Sequence, residues 1–396
     1  MVSTELAPSG LPDHPTSKVA KLPSLTGLRF IAALMVFFFH VTLMTSPIPP
    51  NVPVNPFGDP DLAQGLAWLF GKAGFVGVSF FFILSGFVLT WSARDGEAAR
   101  PFWRRRMLKI FPNHVVMWVA GLLLFASAIT PWVAYLPNLF LVHSFFPQVE
   151  IHRSINVPSW TLCCELLFYL LFPALLRGVK RISESRLWTW AGLVFAGMVA
   201  LQLVTQYLIP DARPAGAPIS DLQFWFGYFF PPSRLFEFVL GIIMARIVAT
   251  GRWPSIGMAP AALLTVVGYV AALYAPMVWG FNVATAIPLA ALICATAASD
   301  LKGSRSFLRG RTMQWLGDVS FGFYLCQGVV VIYGSWLLRG THDTGTALLI
   351  TGGLFVATLV VGALLFHLVE RPIMRKFSYR RPTRRPLTAA PADIAA

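Results

Sequence analysis

Long apolar runs recur along the chain between residues 25 and 369, each separated from the next by a short polar stretch. A helix needs about 20 predominantly apolar residues to cross about 30 Å of hydrocarbon. At that length the runs resolve into about ten segments: residues 25–45, 73–91, 110–129, 161–176, 187–209, 233–249, 258–278, 281–298, 319–338 and 347–369. The run 131–146 is apolar too, but it is short and interrupted by Pro137. A crossing there reverses every later segment, so it reads as a re-entrant or surface element. The pattern predicts an all-α integral membrane protein with about ten transmembrane helices in residues 25–372. A polar segment, 1–24, precedes them, and a basic Pro- and Ala-rich tail, 373–396, follows.

Charge orients the spans, because Lys and Arg accumulate on the cytoplasmic side. With the N-terminus inside, most of the 31 Lys and Arg fall in inner segments and only Lys72, Arg153, Arg213 and Arg339 in outer ones. Both termini are therefore expected to be cytoplasmic, in a multi-pass protein of the cell membrane. The first 24 residues are polar and carry four prolines, so the first span is expected to insert without a cleaved leader. A composition of 56% hydrophobic and 12% charged residues excludes an ordinary soluble domain. The net charge of +14 is met by a basic rim facing anionic membrane lipid; it needs no nucleic acid, and binding of an anionic nucleotide by part of the rim stays open.

The four cysteines, Cys163, Cys164, Cys294 and Cys326, lie in predicted spans without a C-x-x-C pair, so neither a disulfide framework nor a metal site is expected. Adjacent Cys163 and Cys164 point about 100° apart on a helix and read as small packing groups rather than covalent catalysts. No repeat at a fixed period is visible.

Ionisable groups inside a bilayer are costly, which makes each a functional candidate. Arg29 and His40 are eleven positions apart in "LRFIAALMVFFFH". At about 100° per residue they share one face, about 16 Å apart along the axis, with Arg29 at the cytoplasmic end and His40 in the outer half. Snorkelling to the headgroups is the plain alternative for Arg29, and an interhelical hydrogen bond the plain one for His40. Glu165 lies about 7 Å of helical rise below Trp160, near the expected depth of His40. A buried carboxylate there holds an imidazole in one tautomer and raises its basicity. Arg234 and Glu237, three residues apart in the sixth span, form either a structural ion pair or part of the chemistry.

These residues bring a resemblance into view. Over residues 24–372 the chain resembles the membrane-bound acyltransferase family 3, whose members move acyl groups, commonly acetyl, onto hydroxyls of sugars, lipids and secondary metabolites. Its mark is an arginine and a histidine separated by ten residues in the first span, met by Arg29 and His40 in "PSLTGLRFIAALMVFFFH". "FVGVSFFFILSGFVL", "RRRMLKIFP", "RLFEFVLG", "LGDVSFGFYLCQ" and Glu370 with Pro372 are similar to further family segments. "SWTLCCELLFYLLFP" matches a Trp-Ser-Leu-x-x-Glu-Glu-x-Phe-Tyr pattern through Trp160, Glu165, Phe168 and Tyr169. Three positions depart from the family: Lys109 stands for the second arginine of a cytoplasmic pair begun by Arg106, Leu166 for a second glutamate, and Gln327 for a histidine of many relatives.

The resemblance, joined to helical depth, implies a membrane O-acyltransferase that uses acyl-CoA as donor substrate and holds no permanent cofactor. Arg29, Arg105, Arg106 and Lys109 are expected to hold the CoA phosphates at the inner mouth. His40 is expected to deprotonate the acceptor hydroxyl, with Glu165 orienting its ring and no acyl-enzyme formed. Arg234 or Gln327 is the candidate for steadying the oxyanion, with Glu237, Trp160 and Tyr169 in support. The opening "LPSLTGLRF" and the absence of a fused soluble domain resemble the actinomycete branch that acylates macrolide antibiotics. A macrolide hydroxyl or its sugar is thus the first acceptor, and a cell-surface polysaccharide or glycolipid sugar the second. The outer segment 46–72, with six prolines, is placed to shape an entrance. A proton-coupled secondary transporter is the reading from another class; the missing repeat and the basic cluster beside Arg29 stand against it.

Overall fold

The computed structural model describes residues 20–377 apart from Asp95, 214–216 and Arg339. The segment 1–19, the tail from residue 378 and Arg339 therefore lie outside the described residues. What is described is helical throughout, with no strands and a single isolated bridge between Phe57 and His342. The main helices are α1 (Pro23–Val41), α2 (Pro60–Phe70), α3 (Ala73–Trp91), α4 (Ala99–Leu124), α5 (Trp160–Lys180) and α6 (Leu187–Tyr207). They continue with α7 (Leu235–Ala249), α8 (Met258–Tyr274), α9 (Val283–Leu301), α10 (Arg311–Leu325) and α11 (Thr344–Leu364).

Seven helices among the described residues are long and apolar enough to cross a membrane, or eight if α10 and the following Gly328–Leu338, bent by 56°, form one broken span. Helix α7 has 15 residues and α8 has 17, shorter than a full crossing. The run 131–146 does not form a crossing: it is broken into short turns at Trp132–Ala134, Tyr135–Leu139 and His143–Phe145.

Helix α3 is the hub, buried along most of its length and packed against α1, α7 and α9. Lipid tails are as apolar as the helices, so association relies on close packing rather than on removal from water. Two glycines supply it: a Cβ on Gly86 would sit 2.0 Å from the Phe238 carbonyl, and one on Gly241 would sit 2.0 Å from that of Ile83. Backbones in such contact bring the aromatic rings of three helices together, with Phe168 edge-on to Phe82 at 5.1 Å and stacked on Phe238 at 4.6 Å.

The basic segments gather at one end of the bundle. There Ser24 bonds Asp300 through its backbone N–H and its hydroxyl, at 2.8 and 2.7 Å, and the Trp91 indole donates to the Ala20 carbonyl. Arg94, Arg105, Arg106, Arg177 and Lys180 line one basic pocket of about 450 Å³ at that end. The segments around residues 45–51, 71–75 and 217–221 meet at the opposite end, where α1 finishes.

Candidate active site

His40 lies at the end of α1 opposite Arg29, only 7% exposed. Its Nδ1 is 2.8 Å from Oε1 of Gln327, and Nε2 of Gln327 donates to the Ala33 carbonyl at 3.3 Å. The two contacts settle each other. A backbone carbonyl only accepts, so the amide nitrogen faces Ala33 and the amide oxygen faces His40. An amide oxygen also only accepts, so His40 carries its proton on Nδ1 and the neutral ring keeps a lone pair on Nε2. Gln327 reaches α1 because the helix containing it is broken: the N–H groups of Val329 and Val330 both go to the Cys326 carbonyl. The Leu325 carbonyl, freed by that break, accepts from Asn156 Nδ2 at 3.0 Å. Only a residue without a side chain fits beside this contact, since a Cβ on Gly328 would lie 2.0 Å from Asn156 Oδ1.

His40 lines a cavity of about 600 Å³ with aromatic walls, including Phe39, Phe75, Trp160, Phe224, Tyr228 and Phe229. The charged groups lining it are Arg153 and Asp221, 3.6 Å apart, with Arg153 lying over the rings of Phe224 and Phe229. At the other end of α1, Arg29 is half-buried and makes no hydrogen bond or ion pair with the described residues. It lines a second, narrow cavity of about 50 Å³ together with Glu165, Thr161, Phe321 and Tyr324.

Glu165 is therefore not where its helical position predicts. It sits with Arg29, accepts a 2.7 Å hydrogen bond from the Tyr169 hydroxyl, and makes no contact with His40. The prediction assumed that Trp160, which opens α5, lies at the membrane surface. Trp160 is only 4% exposed and packs edge-on against Phe82 and Phe229, so α5 starts well inside the protein. The orienting partner of His40 is Gln327.

The cations divide as well. Lys109 is ion-paired with Glu370, whose other oxygen accepts from Asn113 at 3.2 Å. Arg105 pairs with Glu97 at 2.6 Å, and Arg106 lies over the rings of Phe102 and Tyr169 with its buried Nε lacking a partner. Arg234 is fully buried; its Nη2 donates to Glu237 at 2.8 Å and to Ser79 at 3.1 Å, and its guanidinium lies over Phe82 and Tyr228. It lines neither cavity, and both ends of the Gln327 amide are occupied, so neither of the two groups expected at an oxyanion faces open space. Cys163 packs against His143, Sγ to Nδ1 3.3 Å, away from both cavities. Sequence reasoning missed Tyr324 and Asn156, which carry no charge to draw attention inside apolar or loop segments.

Residues 22–367 match the model of the acyltransferase domain of the acyltransferase 3 family. The chain belongs to this family. It is 38% identical over 379 residues to the acyltransferase MdmB of Streptomyces mycarofaciens, covering 92% of this chain and 95% of that one. It is 22% identical over 392 residues to the peptidoglycan O-acetyltransferase OatA of Listeria monocytogenes, covering 89% of this chain but 56% of that one. The exopolysaccharide production protein ExoZ of Rhizobium meliloti is 27% identical over 324 residues, 78% of this chain and 92% of that one. No solved structure matches. The family match contains Arg29, His40, Glu165 and Gln327, and thus both cavities; Glu370, the partner of Lys109, lies just beyond it.

Proposed function

We propose that this membrane acyltransferase moves a short acyl group from acyl-CoA to a hydroxyl of a macrolide or its sugar. The observation that carries the reading is His40: its Nδ1–H is held by Gln327 and its Nε2 is left as a base at a cavity large enough for a small-molecule acceptor. Nε2 takes the proton of the acceptor hydroxyl while the oxygen attacks the thioester carbonyl. The tetrahedral adduct expels the CoA thiolate, the proton on His40 passes to that sulfur, and ester and free CoA result. Both reactants are held in place, so the attack is effectively intramolecular.

At the basic end, Arg29 and Arg106 are the cations available to phosphate oxygens, and Arg105 contributes charge while paired with Glu97. Lys109 contributes charge while tied to Glu370. Glu165 lines the narrow cavity beside Arg29 and is held there by the Tyr169 hydroxyl. Support for an acyl-CoA donor comes from an unpaired arginine in a span beside a basic pocket.

The macrolide acceptor is supported by the aromatic cavity walls and by the resemblance of "LPSLTGLRF" to the macrolide-acylating branch. A cell-surface glycan sugar is the second reading, favoured by the peptidoglycan and exopolysaccharide relatives. Purified protein given acetyl- or propionyl-CoA with each acceptor class decides between them. Free CoA with an acylated macrolide is expected; an acylated glycan alone transfers the assignment to the second reading, and no CoA release from any donor ends the acyl-CoA reading.

A further inference from the structure

We infer that Tyr324 is the gate between the donor side and the acceptor side, holding water and acceptor away from the thioester until the acyl end of the donor reaches the cavity at His40. The inference rests on the acyl-CoA reading above. Two cavities approach each other inside the protein, one containing Arg29 and Glu165, the other containing His40, and the residues that line both are Val78 and Tyr324. These two side chains are the partition. Tyr324 is 7% exposed, and its ring packs against Phe81 at 5.9 Å on the Arg29 side. Its hydroxyl donates to Thr161 Oγ1 at 3.1 Å and lies 3.3 Å from the Pro158 carbonyl, which accepts the Thr161 hydroxyl at 3.0 Å. These contacts latch the ring onto the start of α5. Neither belongs to regular secondary structure, so breaking them leaves both helices intact.

The position on the chain suits a moving part. Tyr324 is the penultimate residue of α10, and the 56° break follows directly, before Gln327. The segment that carries the partition thus also carries the group that orients His40. Rotation of the Tyr324 side chain joins the cavities without disturbing Gln327, whereas a shift of the helix end moves both. An acyl chain threading from the basic end meets this ring before it meets His40.

A closed gate has a chemical consequence. With the ring absent, a water oxygen attacks the thioester carbonyl, the C–S bond breaks, and carboxylic acid and free thiol form with no acceptor consumed. The experiment measures thiol release with and without acceptor for wild type, Tyr324→Ala, Tyr324→Phe and Val78→Ala, each checked as monodisperse in detergent. Wild type is expected to release thiol mainly with acceptor present. Tyr324→Ala raises the ratio of hydrolysis to transfer by about tenfold or more. Tyr324→Phe keeps the wall but loses the latch, and raises it by about fivefold, the effect of one neutral hydrogen bond. Val78→Ala thins the partition from α3 with the latch intact, and raises kcat/KM for longer acyl donors relative to acetyl. An unchanged ratio in well-folded Tyr324→Ala and Tyr324→Phe overturns the gate. Absence of thiol release from wild type overturns the donor reading instead, so the two failures are separable.

Discussion

Two buried polar pairs, Arg234–Glu237 and His40–Gln327, meet the same solvent problem in different ways. The first is local, three residues apart on one helix, fully buried and wedged between Phe82 and Tyr228. The second joins residues 287 positions apart and leaves one ring nitrogen at an open cavity. A polar group inside a bilayer is expensive in both places. The first pair lines neither cavity, although Arg234 Nε and Nη1 and Glu237 Oε2 are buried without partners, so its geometry favours a structural role; where one partner only orients the other toward space, chemistry becomes available. Charge alone does not separate the two cases, because the stronger ions belong to the structural pair.

The sharpest break of this comparison is His40→Ala, expected to lower transfer by about 10²–10⁴-fold while the protein stays folded and monodisperse. Full activity in that variant would remove His40 from the chemistry. Next comes the structural pair, where Arg234→Met or Glu237→Leu alone leaves one charge uncompensated in the interior and costs about 3–5 kcal/mol, read as a loss of folded yield and a lower Tm. The double variant Arg234→Met with Glu237→Leu is expected to recover most of that stability and to keep transfer activity. If it folds but is inactive, the pair belongs to the catalytic apparatus after all. Gln327→Ala is milder, lowering kcat by about 10–100-fold with little change in the donor KM, as for other groups that fix a working histidine. The smallest effect is Arg29→Ala, expected to raise the donor KM by about tenfold through loss of a charge-assisted phosphate contact, with acceptor KM unchanged. Partial recovery in Arg29→Lys separates charge from the planar geometry of guanidinium.

Much of this arrangement was legible in the chain. Hydropathy located most of the helices, though not α2, because backbone polar groups have no partner in hydrocarbon other than one another; seven or eight of the described helices, against about ten expected, are long and apolar enough to cross. Helical periodicity put Arg29 and His40 on one face of α1, and they line separate cavities at its two ends. Family resemblance suggested roles that spacing alone leaves open, and the variants above test them. The depth of Glu165 was misjudged, because counting residues from Trp160 assumes that the helix starts at the membrane surface. The short turns of 131–146 and the segment after them cover that start, burying Asn138, His143 and Asn156. Lys109 was legible as a cation but not as the partner of Glu370, which lies 261 positions away.

The amino-acid sequence by itself determined the membrane-embedded helical class, the basic end of the bundle and the face shared by Arg29 and His40, since all three follow from composition and a local 3.6-residue period. Only the tertiary structure decided which groups those side chains meet. The tautomer of His40 and the position of Tyr324 between the two cavities depend on the break after Leu325 and on contacts between distant segments, and the burial of Arg234 depends on Ser79 and Phe82 of another helix. Packing of α10 against α1, and of α3 against α7, sets those contacts, and no local periodicity encodes them.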